Sequence, residues 1–139
     1  MRQLILRGLF VAAALALTAC GGPLKYNVPS SRLAPGADAE IVAEVKDETN
    51  QTAVNVQAKN LPPPARVNPN GKYYVAWQRK GNQGGWLRLG TVLFDEEKRT
   101  GTLAATVPET AFDFEISVEA EEGAQSPSAD VVFSQRVSK

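Results

Sequence analysis

Histidine is absent and cysteine occurs once, at Cys20. The first absence removes the usual general base and the commonest zinc ligand. The second leaves no partner for a disulfide within the chain, so a folded core must hold by burial alone. An excess of either charge is missing too, since 15 basic residues balance 15 acidic ones. That is no footprint for nucleic acid, which asks for a strongly basic face. No uncharged run reaches the roughly 20 residues that a membrane-spanning helix needs.

What is present begins with Arg2 and Arg7, followed by the uncharged, mostly apolar run Gly8 to Ala19. A short basic segment before an apolar run of this length fits a secretory signal. Ordinary signal cleavage favours small residues at −3 and −1, yet Leu17 stands three before Cys20. Leu17-Thr18-Ala19-Cys20 instead resembles the lipobox of bacterial lipoproteins. That resemblance implies cleavage between Ala19 and Cys20, a diacylglyceryl group on the Cys20 sulfur and an acyl chain, such as palmitate, on its freed amine. No other cofactor is implied. One acyl chain binds a bilayer only marginally, whereas two or three hold. Residues 1–19 are thus expected to be the signal peptide. The remaining 120 of 139 residues carry 13 basic and 15 acidic side chains, a net charge of −2, and suffice for one modest domain.

Residues 20–37 read as the lipidated cysteine and a flexible tether. Gly21, Gly22, Pro23, Pro29, Ser30, Ser31, Pro35 and Gly36 break both regular periodicities there, although Leu24, Tyr26, Val28 and Leu33 are candidates to dock on the domain. Gly21 after the lipidated cysteine favours, by the same resemblance, an outer-membrane location facing the periplasm or the cell surface.

Residues 38–139 alternate in short runs. Ile41, Ala43 and Val45, then Val54, Val56 and Ala58, interleave with polar neighbours across the turn Asp47–Gln51. Such period-two runs are half-buried strands. The prolines at 62, 63 and 64 require a crossing loop. Tyr73, Val75 and Trp77 are expected to share one inward face, and Trp86 to Phe94 to return as one strand after the glycines at 81, 84 and 85. Leu103, Ala105 and Val107 follow, then Phe112, Phe114, Ile116 and Val118 against Asp113, Glu115, Ser117 and Glu119, and last Val131 and Phe133. About seven short strands without a helical period predict an all-β, immunoglobulin-like antiparallel β-sandwich.

The order Asn60-Leu61-Pro62-Pro63-Pro64, Gly71-Lys72-Tyr73-Tyr74-Val75-Ala76-Trp77, Leu89-Gly90-Thr91, Gly101-Thr102-Leu103, Phe114 to Glu119 and Ser126-Pro127 is similar to the extracytoplasmic C-terminal domain of anti-sigma-K factors. The resemblance implies an immunoglobulin-like sandwich outside a membrane. Between Glu119 and Pro127 the chain departs from it, with Ala120, Glu121 and Glu122 where the family tends to have a Pro/Gly-rich turn, and the resemblance carries over no sigma-factor binding.

Two classes of function are weighed. An envelope enzyme acting on glycans would use Asp113, Glu115 and Glu119, whose Cα atoms at alternate positions lie about 6.5–7 Å apart, within the range of an inverting glycosidase pair. A flat solvated sheet face, with the acids paired to Arg79, Lys80 or Arg88 across strands, is the plainer expectation. Asp95-Glu96-Glu97 lacks the spaced ligands of a calcium loop and reads as a charged turn. The other class, a non-catalytic binding or structural domain, is preferred. Its candidate surface is Tyr74, expected opposite Trp77, with Trp86 beside the Gly-Gly turn. Such aromatics stack on a glycan or anchor an envelope protein, or else they simply close the sandwich.

Overall fold

The computed structural model describes residues 22–82 and 84–139. The expected signal peptide, the Ala19–Cys20 cleavage site and the lipidated Cys20 lie outside the described residues. Among the latter, nine strands and one helical turn succeed one another: β1 (Leu24–Pro29), β2 (Asp38–Lys46), β3 (Gln51–Lys59), α1 (Pro64–Val67), β4 (Tyr73–Arg79), β5 (Leu87–Thr91), β6 (Leu93–Asp95), β7 (Thr100–Val107), β8 (Phe112–Glu119) and β9 (Val131–Val137). They form two antiparallel sheets, ordered β1-β2-β3-β7-β6 and β5-β4-β8-β9. From β2 onward this is the immunoglobulin-like order, with β1 added at one edge.

The alternating runs set the core. Ile41, Val54, Val56 and Val107 from one sheet and Tyr74, Phe112, Phe114, Ile116 and Phe133 from the other are buried in one cluster. Each full burial of a side chain this size contributes about 1.5–3 kcal/mol. The turns joining β2 to β3 and β6 to β7 each hold four residues between paired positions. Each ends on a residue in the left-handed region, Asn50 at φ 54° and Arg99 at φ 55°. Asparagine tolerates that region, whereas for arginine it is uncommon. The Arg99 carbonyl accepts a hydrogen bond from Leu61 N at 2.9 Å, which ties this turn to the proline crossing.

Three expectations need correction. The expected tether of residues 20–37 is folded from Leu24 onward. Its alternating Leu24, Tyr26 and Val28 form β1, paired from Leu24↔Ala43 to Pro29↔Asp38, with Val28 buried and the other two packed against the core. The following loop is fixed as well, because Ser31 N and Oγ donate to the carbonyls of Val132 and Val131, each at 2.8 Å. Six regularly spaced residues that can join an existing sheet edge outweigh the local prolines.

The single return strand is in fact two. Val92 is buried and its N–H donates to the Tyr74 carbonyl at 2.8 Å. At that residue the chain leaves the four-stranded sheet as β5 and enters the five-stranded sheet as β6.

The faces of β4 are also reversed. Tyr74 and Ala76 belong to the central cluster, while Tyr73, Val75 and Trp77 lie on the opposite face. Both faces of β4 are apolar in sequence, so alternation left the choice open. The pairing Trp77↔Glu115 with β8, whose own polarity is unambiguous, decides it.

Candidate functional site

The outer face of the four-stranded sheet gathers most of the side chains with chemical potential. Register places Tyr73 opposite Glu119, Val75 opposite Ser117, Trp77 opposite Glu115 and Arg79 opposite Asp113. The face is not uniformly wet. Val75, Trp77 and Ser117 are fully buried and Glu119 is 6% exposed. Trp77 Nε1 donates to Ser117 Oγ at 2.9 Å, and Ser117 Oγ in turn donates to Glu119 Oε2 at 2.5 Å. The same Glu119 oxygen accepts Ser128 N at 2.8 Å. Buried polar groups need such partners, and this relay supplies them while pinning the 120–130 loop to the sheet.

Toward the other end of the face lies a shallow cleft whose walls include Arg79, Trp86, Asp113, Glu115 and Arg136. Asp113 is held by two guanidinium groups, Arg79 and Arg136, each at 3.3 Å. The Arg79 guanidinium also stacks over the Trp86 ring, 4.5 Å from its centroid, a cation–π arrangement. Glu115 is raised above the ordinary carboxyl range, chiefly by desolvation. Arg79 opposes the rise, and the neighbouring Glu119 and Asp113 add to it.

The three carboxylates named from the sequence therefore do share a face, but their environments differ. Asp113 is neutralised by arginines, Glu119 is fixed by hydrogen bonds, and of the three only Glu115 faces the cleft without a hydrogen-bond partner among the described residues. Of the cations expected to pair with them, Arg79 does. Lys80 instead meets Glu109 at 4.0 Å, and Arg88 donates to Thr91 Oγ1 at 2.5 Å. Lys98 N donates to Asp95 Oδ1 at 3.0 Å, which makes the acidic 95–97 segment part of a turn. Among the described residues no group of three metal-ligating side chains converges.

The aromatic pair separates. Tyr74 is 1% exposed, its hydroxyl donates to the Pro62 carbonyl at 2.5 Å, and its ring meets Phe94 edge-on at 5.8 Å. Burial raises its phenol well above the ordinary tyrosine range. It is a core residue that braces the proline crossing and cannot form a binding surface with Trp86. Trp86, half-buried, remains at the end of the sheet beside the exposed Leu87. Sequence reasoning missed the Trp77–Ser117–Glu119 relay, whose one visible sign was a tryptophan and a serine at facing positions of strands not yet paired.

No family model, curated protein or solved structure matches this chain. No helix among the described residues is long and apolar enough to cross a membrane.

Proposed function

We propose that this chain is a lipid-anchored protein of a bacterial cell envelope, with Cys20 acylated and the sandwich serving as a non-catalytic binding or structural domain. The observation that favours it is the position of β1. The sheet starts at Leu24, so four steps of chain separate it from Cys20, about 14 Å at full extension. A lipobox so close to a folded edge suits a domain held at the bilayer surface. The location proposed is the outer membrane, and the partner an envelope protein or glycan. The arginine-paired Asp113 and the hydrogen-bonded Glu119 support binding over acid–base work, because a glycosidase needs a second available carboxyl beside Glu115 to act as base or nucleophile. The likeness of the domain to the extracytoplasmic part of anti-sigma-K factors stays within this reading as a proposed kinship of fold.

Intact-mass measurement of the protein from its native host tests the anchor. The expected species begins at Cys20 and carries diacylglyceryl and N-acyl masses, and Cys20→Ser leaves unprocessed precursor. A Cys20→Ser variant that matures and stays with the membrane like the parent overturns the reading.

A further inference from the structure

The strand register shows which strand ends share an end of the sandwich with the start of β1. Leu24 pairs with Ala43, Lys46 with Gln51, and Thr52 with Val107. In the other sheet Phe112 pairs with Val137, Arg79 with Asp113, and Gln78 with Leu87. The start of β1, the β2–β3 turn, the end of β9 and the β4–β5 turn therefore all lie at one end, where Leu24 opens β1 four residues after Cys20 in the sequence. Of these, the β4–β5 turn is unlike the rest. It carries Gly81, Gly84 and Gly85 with open space about each α-carbon, then half-buried Trp86 and Leu87, whose surface is 60% exposed. Lys80 and Arg88 flank it, both exposed. The acids nearby are partly met, Glu109 by Lys80 and Asp47 by Lys139.

An apolar tip with tryptophan, bracketed by basic side chains, has the composition that settles at a membrane–water interface. The indole sits at headgroup depth, and the cations reach lipid phosphates. We propose that Trp86 and Leu87, flanked by Lys80 and Arg88, seat as an inserted pair on the phospholipid bilayer into which Cys20 is anchored. This rests on the lipid-anchor reading. It adds that the domain stands upright on the membrane with a second point of contact, leaving the opposite end, with the α1 crossing and the 120–130 loop, turned away from the lipid.

Leu93 provides an internal control. It is also exposed, at 75%, but lies past the change of sheet at Val92, opposite Thr102, which is five residues, about 17 Å at strand spacing, from the Val107 end of β7. Acylation of Cys20 leaves no free thiol in the mature parent, so Leu87→Cys and Leu93→Cys each offer one site for a polarity-sensitive fluorophore. The acylated full-length mature protein is reconstituted in phosphatidylethanolamine–phosphatidylglycerol vesicles, after its mass has confirmed the acyl chains. The label at position 87 is expected to shift to the blue and to be quenched by lipids brominated near the headgroup, whereas the label at 93 emits as in water. Without labels, bromolipid quenching of tryptophan emission is expected in the parent and lost in Trp86→Phe, because Trp77 is enclosed. Acylated protein whose position 87 stays as water-exposed as position 93, and whose tryptophan emission ignores bromolipid, overturns the docking alone. A mature mass without acyl chains overturns anchor and docking together.

Discussion

Replacing Ser117 by alanine tests whether the Trp77–Ser117–Glu119 relay is what holds the outer face closed. The hydroxyl both accepts from the Trp77 indole and donates to the Glu119 carboxylate. Its removal leaves the buried indole N–H unpartnered, at about 1–3 kcal/mol, and takes one charge-assisted bond from Glu119, at about 1.5–3 kcal/mol. Glu119 keeps the Ser128 N–H, and such losses do not add fully. The net expectation is roughly 2–4 kcal/mol. Urea unfolding followed by far-UV circular dichroism reads this as a lower midpoint at unchanged slope. Trp77→Phe in the Ser117→Ala background removes the stranded donor. The double variant should then lose less than the sum of the two single changes, by about 1 kcal/mol or more. A Ser117→Ala variant within about 0.5 kcal/mol of the parent would refute the relay.

Gly71→Ala should destabilise by about 2 kcal/mol or more, because the added methyl would stand 2.4 Å from Val118 Cγ1 and 2.7 Å from the Pro64 carbonyl oxygen. Val118→Ala in the same chain should restore only part of the loss, since the carbonyl cannot retreat. Both are read by thermal unfolding. Glu115→Gln should raise stability at neutral pH and change little in acid. A carboxyl raised in the folded state contributes its stability below its unfolded value and loses it as pH climbs through the folded one. Stability measured across pH 3–8 checks the sign. Tyr74 is raised in the same direction, so the fold should weaken above about pH 10, where an unfolded phenol ionises. Tyr74→Phe should blunt that alkaline loss while costing about 1 kcal/mol at neutral pH for the Pro62 bond.

How far the sequence revealed the fold depended on how one-sided each strand is. β2, β3, β7 and β8 carry polar residues on one face, and their inward sets were legible at once. β4 is apolar on both faces, so only its partner's polarity could orient it, and that is a tertiary fact. β1 was hidden by prolines at its margins. The Trp86–Phe94 stretch was misread because a strand that changes sheets keeps its alternation while Val92 alone marks the transfer. The candidate site was partly legible. The shared face of Asp113, Glu115 and Glu119 follows from period two, but their division into paired, bonded and lone carboxyls needed Arg136 and Ser128 from distant segments. Tyr74 was misplaced for the same reason as β4.

The edge position of β1 has a mechanical consequence. Its hydrogen bonds to β2 run across the strand direction from Leu24 to Pro29. If the chain is held at Cys20 as proposed, a tug along β1 against something gripping the far end of the sandwich would load all those bonds at once, sideways. A tug against the nearby C-terminus at Lys139 would open them one after another like a zip. The domain is thereby built to resist hauling along its length and to yield to prying at its foot.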